Sequence, residues 1–488
     1  MRRRFVLALA AWTAAVCGLV TAGPAAAGSV AGPPVAAREA AAVPAWGRAR
    51  QLPGLDTIDT GKSVQPMALS CARAGECALG GSYTDSAGRT QAFVAAERGG
   101  VWGPATEVGG TAALNRGGAA VVTSVSCPAP GDCAAAGRYS PGGTVAGRAE
   151  PRSEAFTVTE RGGRWGTAEP LPGLAARNSG GSAGAAALSC WAPGDCTVAG
   201  TYASAVRGRD LITGAFVAGQ RGGRWGQAVP LPGLAALNTG GQAEVSALSC
   251  APGGERAAGN CAVGGEYGAR LGTGAYAARE VNGAWRAAAV LPGTAVRGGG
   301  GAARVTSLSC PSAASCAAAG SYTYDTGHGT QAATGFVTDL RAGRWSAPRK
   351  IGGTGDVISC GSPGNCAAGG TNGAGAFVVT ETGGHWGGSR PVPGLAGLDT
   401  GRDAGIMAVS CAPSGTCGAG GSYAAPRSSD HAFVVTSAGG TWSRAHPALA
   451  APGDSAVTLM SCVSPLTCTA AGYDHSGSGI FVLSTAPR

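Results

Sequence analysis

Lysine is almost missing from this chain: Lys62 and Lys350 stand alone among 36 basic residues, and charged residues of both signs amount to only 13%. Basic groups this sparse, scattered along the chain at a net charge of +9, do not build the clustered footprint of a nucleic-acid binder. Five histidines, with no H-E-x-x-H, P-loop or calcium-loop pattern, leave the zincin, NTPase and EF-hand classes without support. Beyond the first 27 residues no apolar run reaches the roughly 18 residues that a membrane helix needs. Glycine, by contrast, is abundant at 87 of 488 residues, yet it stands at turns and not in low-complexity runs. With hydrophobic residues at 44%, the composition is that of a compact all-β chain.

The chain is built on a repeat. Sixteen cysteines fall into eight pairs: Cys71 and Cys77, Cys127 and Cys133, Cys190 and Cys196, Cys250 and Cys261, Cys310 and Cys316, Cys360 and Cys366, Cys411 and Cys417, Cys462 and Cys468. Successive first cysteines lie 56, 63, 60, 60, 50, 51 and 51 residues apart. A period of this length signals stacked supersecondary units, none of which buries its apolar face alone.

Each unit opens with a short apolar strand ending in Ser-Cys, as at Val125-Ser126-Cys127, followed by a tight Pro/Gly loop and a small-residue strand reading C-x-x-x-G-x-Y. A third strand begins at an aromatic, at Phe93, Phe156, Phe216, Tyr276, Phe336, Phe377, Phe433 and Phe481. Nine residues after the first seven of these comes a tryptophan, at 102, 165, 225, 285, 345, 386 and 442. Four strands per unit with a glycine turn before the tryptophan strand predict an all-β fold, a single propeller of eight four-stranded blades. The eighth unit has no tryptophan strand after Phe481, and the segment Trp46 to Leu55 matches Trp225 to Leu234. The Trp46 strand is therefore expected to complete the last blade and close the ring, removing a raw sheet edge.

Residues 1–27 read as a signal peptide: Arg2, Arg3 and Arg4, an apolar stretch, and a small-residue cleavage site at Ala25-Ala26-Ala27. Sec export is the first reading and twin-arginine export the alternative. Cys17 lies within the apolar stretch. Residues 28–45 form a Pro/Ala-rich lead expected to be disordered, and 46–488 the propeller. Without Arg2, Arg3 and Arg4 the net charge is +6. An even set of sixteen cysteines at fixed local spacing in an exported chain predicts eight local disulfides, because zinc sites need four convergent ligands and these pairs fall in separate blades. No metal or cofactor is expected.

Residues Gly80 to Asp85, Gln91 to Val94, Gly99 to Gly103 and Leu231 to Gly241, with the Ser-Cys-x5-Cys element, resemble the repeats of secreted actinobacterial β-propeller proteins. The turn before each tryptophan is also similar, loosely, to the Asp-box of sialidase-like propellers. Here Glu97, Glu160, Gln220, Glu280, Leu340, Glu381 and Ser437 take the Asp position. Asp-boxes are structural turns, so the likeness implies no sialidase activity.

A residue present in every blade is read as architecture. Ser70, Ser126, Ser189 and their equivalents have no histidine at a fixed offset, which argues for a small residue between blades and against a triad. Function is expected in departures from the repeat, in the loops joining strands two to three and four to one, which share a face in propeller topology. Those loops carry Asp85 and Arg89, Arg207, Arg209 and Asp210, Asp325 and His328, Asp430 and His431, Asp474 and His475, and in L-x-[ND]-x-G settings Asp59, Asn115, Asn178, Asn238 and Asp399. The latter either ring the axis around a cation or sugar or simply hold turns. Asp85, Arg89, Asp430, His431, Asp474 and His475 are the candidate ligand-binding residues; no catalytic constellation is identifiable. The expectation is a secreted, monomeric binding scaffold for an extracellular protein or glycan, free or wall-associated, with no nucleic-acid or membrane partner. The alternatives are a polysaccharide hydrolase or lyase with its residues in the variable loops, and a structural wall or spore-coat component.

Overall fold

The computed structural model describes residues 45–486 apart from 62, 146–147, 254–258, 295–300, 326–330, 402, 426–429, 451–452, 466 and 475–478. The signal-peptide reading and Cys17 lie outside the described residues. Eight antiparallel sheets follow one another, the first seven each running strand one to strand four in chain order from the innermost strand outward. In blade one these are Gln65–Arg73, Glu76–Thr84, Thr90–Arg98 and an outer edge made of Val101–Trp102 and Thr106–Glu107. That outer edge is the fourth strand in two short pieces. Glu97 pairs with Trp102 but Phe93 with Glu107, so one extra residue is inserted and the strand breaks at a bulge.

The ring closes as expected. Ala45–Trp46 and Arg50–Gln51 form the outer edge of blade eight, pairing with Gly479–Ala486. A second closure runs nearer the axis, where the Ser of each Ser-Cys accepts the backbone N–H of the cysteine in the next blade. Ser70 takes Cys127 N–H at 3.0 Å, Ser126 takes Cys190, Ser189 takes Cys250, Ser249 takes Cys310, Ser309 takes Cys360, Ser359 takes Cys411 and Ser410 takes Cys462. Ser461 then takes Cys71 N–H at 3.1 Å and completes the circle. The serine that the sequence marks as architectural is an inter-blade hydrogen-bond acceptor.

The second strand explains C-x-x-x-G. In blade one Gly81 faces Phe93 in register, and a Cβ there would lie 2.0 Å from the Gln65 carbonyl oxygen and 2.9 Å from the phenyl ring. Only glycine lets the first strand, bulged at Met67, and the ring approach together. The eight aromatics that open the third strands are all less than 2% exposed, one per blade. Around them the core is a ring of inter-blade clusters. Val94 of blade one packs with Val122, Val125 and Phe156 of blade two, and Trp165 borders the same cluster.

All eight cysteine pairs are disulfides, one at the hairpin between strands one and two of each blade. Cys71 is bonded to Cys77, Cys127 to Cys133, Cys190 to Cys196 and Cys250 to Cys261. In the second half of the ring Cys310 is bonded to Cys316, Cys360 to Cys366, Cys411 to Cys417 and Cys462 to Cys468. The register explains why the pairing is local: Cys71 faces Cys77 across the hairpin, as Cys190 faces Cys196, Cys250 faces Cys261 and Cys411 faces Cys417, so each partner is the nearest thiol. The second cysteines, Cys77, Cys133, Cys196, Cys261, Cys316, Cys366, Cys417 and Cys468, are all buried, which places the bonds inside the blade stack. Seven of the eight close loops of sequence separation 6, so removing one such pair by double serine substitution is expected to cost about 2 kcal/mol on the chain-entropy model. Denaturant titration of such a variant should keep one cooperative transition. A collapse to a non-cooperative state would show that the pairs carry the fold. No helix among the described residues is long and apolar enough to cross a membrane.

Candidate functional site

Loops two-to-three and four-to-one do share a face: Asn115, after blade one's outer edge, donates to the Thr90 carbonyl and to Gln91 Oε1 at the start of its third strand. The same side chain accepts N–H groups of Ala119 and of Ser140, which follows the second strand of blade two. Asn238 repeats the link, donating to Thr213 O and accepting from Gly268 N. Asp59 takes N–H groups from Ser63 and Thr84, and Asp399 from Ala404 and Ala424. Asn178 donates to Ser153 O and Glu154 Oε1. These side chains hold turns and neighbouring blades, which leaves little of them for an axial polar ring.

Asp85 and Arg89 form the tip of the blade-one hairpin. Asp85 Oδ1 accepts the N–H groups of Ala87 and Arg89, and Oδ2 accepts Gln91 Nε2 at 2.9 Å and Arg89 Nε at 3.1 Å. The Gln91 hydrogen bond first, and the Arg89 N–H next, hold the Asp85 carboxyl down at about 2. Its lone pairs already serve the hairpin.

Blades seven and eight bring more together. Asp430 N–H donates to Asp454 Oδ1 at 3.2 Å, and Ser455, next to Asp454, is the register partner of Asp474. Tyr473 is pushed up by burial and further by the charges of Asp430 and Asp454. His431 lies against Tyr423, with ring centroids 5.5 Å apart. His475, like His328, lies outside the described residues. The structure thus gathers Asp430 and Asp474 at one corner and adds Asp454, whose Pro-Gly-Asp-Ser setting reads as an ordinary turn.

A second array lies on the opposite face and the outer rim. At the position where an Asp-box would have Asp, Glu160, Glu280 and Glu381 are buried and each takes an arginine from the preceding blade. Arg98 bonds Glu160, Arg221 Nη2 reaches Glu280 Oε1 at 3.2 Å, and Arg341 Nη2 reaches Glu381 Oε1 at 2.5 Å. Between blades four and five the pair is replaced by apolar residues at both places, Val281 and Leu340. In blade five Asp339 departs from the repeat, lying 3.5 Å from Arg341 Nη2 and accepting Trp386 Nε1 on both oxygens at 3.1 Å. Burial, then the Asp339 charge, raises Glu381 to about 7 against the opposing pull of Arg341. A carboxyl raised in the folded state stabilises it below the unfolded value near 4.5 and loses that contribution as pH climbs through about 7. Melting temperature is therefore expected to fall between about pH 5 and 7.5, with a shallower fall in Glu381→Gln; an unchanged slope would rule this carboxyl out as the cause.

Each of three rim tryptophans roofs a cleft against the outer edge of the preceding blade. One of about 450 Å3 lies between blade one and Trp165, one of about 260 Å3 between blade two and Trp225, and one of about 390 Å3 between blade six and Trp442. The Trp442 Nε1–H donates to Thr380 Oγ1 at 3.1 Å, fixing the indole at the cleft wall. The sequence reads these tryptophans as core or blade-edge residues and does not reveal the clefts, whose signal is the polar residue before each tryptophan and the pair of residues after the bulge.

No protein-family model and no curated protein sequence matches the chain. Solved structures do. The Dos1 propeller is similar with a TM-score of 0.51 at 10% identity, over 91% of this chain and 95% of that one. The likeness is one of fold alone. Sqt1 from Chaetomium thermophilum aligns with a TM-score of 0.49 at 13% identity, over 88% of this chain and 98% of that one. A Hadza microbial sialidase aligns with a TM-score of 0.34 at 11% identity, over 69% of this chain and 73% of that one.

Proposed function

We propose that this chain is a secreted, monomeric binding scaffold that holds an extracellular glycan or protein on its variable loops and rim. One observation carries the reading. The recurrent polar groups, the serines, the turn Asn and Asp residues and the buried Glu–Arg pairs, are engaged in holding blade to blade, while departures from the repeat such as Arg89, Arg209 and Asp430 stand exposed on the variable loops. The eight disulfides suit an oxidising compartment, and the leader and the resemblance to secreted repeat proteins agree with it.

One feature favours the hydrolase alternative. Asp339 and Glu381 flank one guanidinium nitrogen, and Glu381 lines a groove of about 300 Å3. Two carboxyl groups with unlike surroundings can divide acid and base roles. A glycan and cell-wall polymer array with the oxidised protein, scored for both retention and released product, separates the readings. Binding without product supports the scaffold. Product that vanishes in Glu381→Gln would make it an enzyme; product lost instead in the Asp430, His431, Asp474 and His475 alanine variant would place the chemistry in blades seven and eight. Recovery solely with the insoluble wall fraction, without soluble ligand, would favour the structural component.

A further inference from the structure

Charge on the rim is divided unequally between its two halves. The outer-edge segments of blades one to four, residues 99–107, 162–170, 222–230 and 282–290, carry Arg164, Arg224 and Arg286 together with Glu107 and Glu169. Those of blades five to eight, residues 342–350, 383–391, 439–447 and 45–51, carry Arg344, Arg349, Lys350, Arg390, Arg444, Arg48 and Arg50, two histidines at 385 and 446, and no Asp or Glu. All nine side chains are exposed. None of the seven Arg and Lys residues makes an ion pair among the described residues. Lys350 lies instead over the Tyr324 ring at 3.4 Å.

Across blades five to seven these residues form one surface, because consecutive outer edges touch through them. Arg349 Nη2 of blade five donates to the Gly387 carbonyl of blade six at 3.3 Å. A Cβ on Gly394, after the outer edge of blade six, would lie 3.1 Å from Arg444 Nε of blade seven. In the middle of the arc lies the cleft of about 390 Å3, lined by His385, Arg390, Trp442, Thr380, Thr382 and Thr441. An arc of unpaired cations attracts a polyanion, and guanidinium groups match carboxylates in a fork. The cleft adds a requirement that charge alone does not, a ring-sized unit with hydroxyls to meet the threonines and an apolar side to meet the indole. Nucleic acid fits less well, since base-stacking platforms present open aromatic faces and the tryptophans here are each partly buried between blades.

Building on the scaffold reading, we infer that the rim of blades five to eight binds an anionic polysaccharide of the uronate class, one sugar ring entering the Trp442 cleft and its carboxylates pairing with the arginine arc. The occupant is identified by charge complementarity and by the hydroxyl-lined cleft; the opposite half of the rim has a comparable cleft at Trp165, but its lining cation, Arg98, is paired with Glu160, and the outer-edge segments there carry two glutamates against three arginines.

The test is the affinity of the full oxidised protein for polygalacturonate, with dextran as neutral control and double-stranded DNA as the polyanion without uronate. Two triple variants are compared, Arg349→Glu/Arg390→Glu/Arg444→Glu on the arc and Arg164→Glu/Arg224→Glu/Arg286→Glu on the other half, which change net charge equally. A third, Gly388→Leu, narrows the cleft without touching charge: a Cβ there meets nothing within 4 Å, so the fold tolerates it. Polygalacturonate binding is expected, weakened at least about tenfold by the arc triple and by Gly388→Leu, and within about twofold for the other triple. Equal loss in both triples, or no effect of Gly388→Leu, would reduce the arc to bulk charge and overturn the inference. So would DNA binding as tight as that of polygalacturonate. Indifference to polygalacturonate with retention of another glycan or a protein on the array sinks the arc while leaving the scaffold, and no retention of any probe sinks both.

Discussion

A protein that begins at Leu52 is expected to lose its cooperative unfolding transition, and the same protein with residues 45–51 reattached after position 486 through Gly-Gly is expected to regain it. The segment supplies the outer edge of blade eight: Ala45 and Trp46 pair with Ala486 and Thr485, Arg50 and Gln51 with Val482 and Phe481, and Gly47 N–H donates to Ser484 O at 2.9 Å. Trp46 covers Cys462, Cys468 and Met460 and borders the cluster around Phe481 and Val434. Losing a partly buried tryptophan costs about 3 kcal/mol by itself, the low end for a core aromatic. The ladder hydrogen bonds and the newly exposed edge of Gly479–Ala486 add to that, so the total approaches the whole stability of an ordinary domain, about 5–15 kcal/mol. The reattached version has the same order as the other blades, in which Arg98 is followed by two glycines and then Val101-Trp102. Thermal unfolding and limited proteolysis measure both. A truncated protein that melts cooperatively near the parent temperature would show that the serine ring and the inter-blade clusters keep the blades together without this edge.

The second large effect concerns the buried ion pair between blades one and two. The Glu160 side chain is 0% exposed and that of Arg98 34%. Arg98→Val should therefore strand a buried carboxylate and destabilise by about 3 kcal/mol, the low end for a broken buried pair because the guanidinium is partly in water. The double change Arg98→Val/Glu160→Leu should restore stability to within about 1 kcal/mol of the parent, since an apolar pair of similar volume replaces a buried ion pair at little cost. The chain already uses this solution between Val281 and Leu340. Burial raises the Glu160 carboxyl, more than Arg98 lowers it, so in the single variant the acid form is favoured further and the penalty should shrink at about pH 5. A denaturant double-mutant cycle reads the coupling directly. Additive single effects, with no recovery in the double variant, would show that the two side chains act independently. Glu97 is the informative comparison: the equivalent arginine position in blade eight is Ala486, and Glu97 is raised by burial and by Glu76 with no arginine opposing them.

Eight blades, the closing role of the Trp46 segment and the cysteine pairing were legible in the chain because each is a matter of spacing, and spacing is local. Cys77 and Cys133 find their partners six residues back because a tight hairpin leaves no other thiol in reach, and Cys261 does the same across a longer loop of separation 11. The aromatic at the start of every third strand and the glycine of C-x-x-x-G could be recognised by their recurrence before their reason was visible: Gly81 faces Phe93 and the bulged first strand at once. The loops were harder. Asp85, Arg89, Asn115 and Asp59 look alike as polar residues in variable turns, and only the folded chain shows Asp85, Asn115 and Asp59 engaged by neighbouring backbone and Arg89 by the Asp85 carboxylate. Asp430 and Asp474 are 44 residues apart and meet Asp454 only because blades seven and eight lie side by side.

The linear sequence by itself determined the architecture, since a repeat of 50 to 63 residues with a strand at each end has one closed way to bury its apolar faces. Tertiary structure alone decided which polar groups remain available. The serine ring, the Arg–Glu bridges and the arginine arc each join residues that lie far apart in the chain, and a side chain's partner across a blade boundary is set by how blades pack and not by its neighbours in sequence.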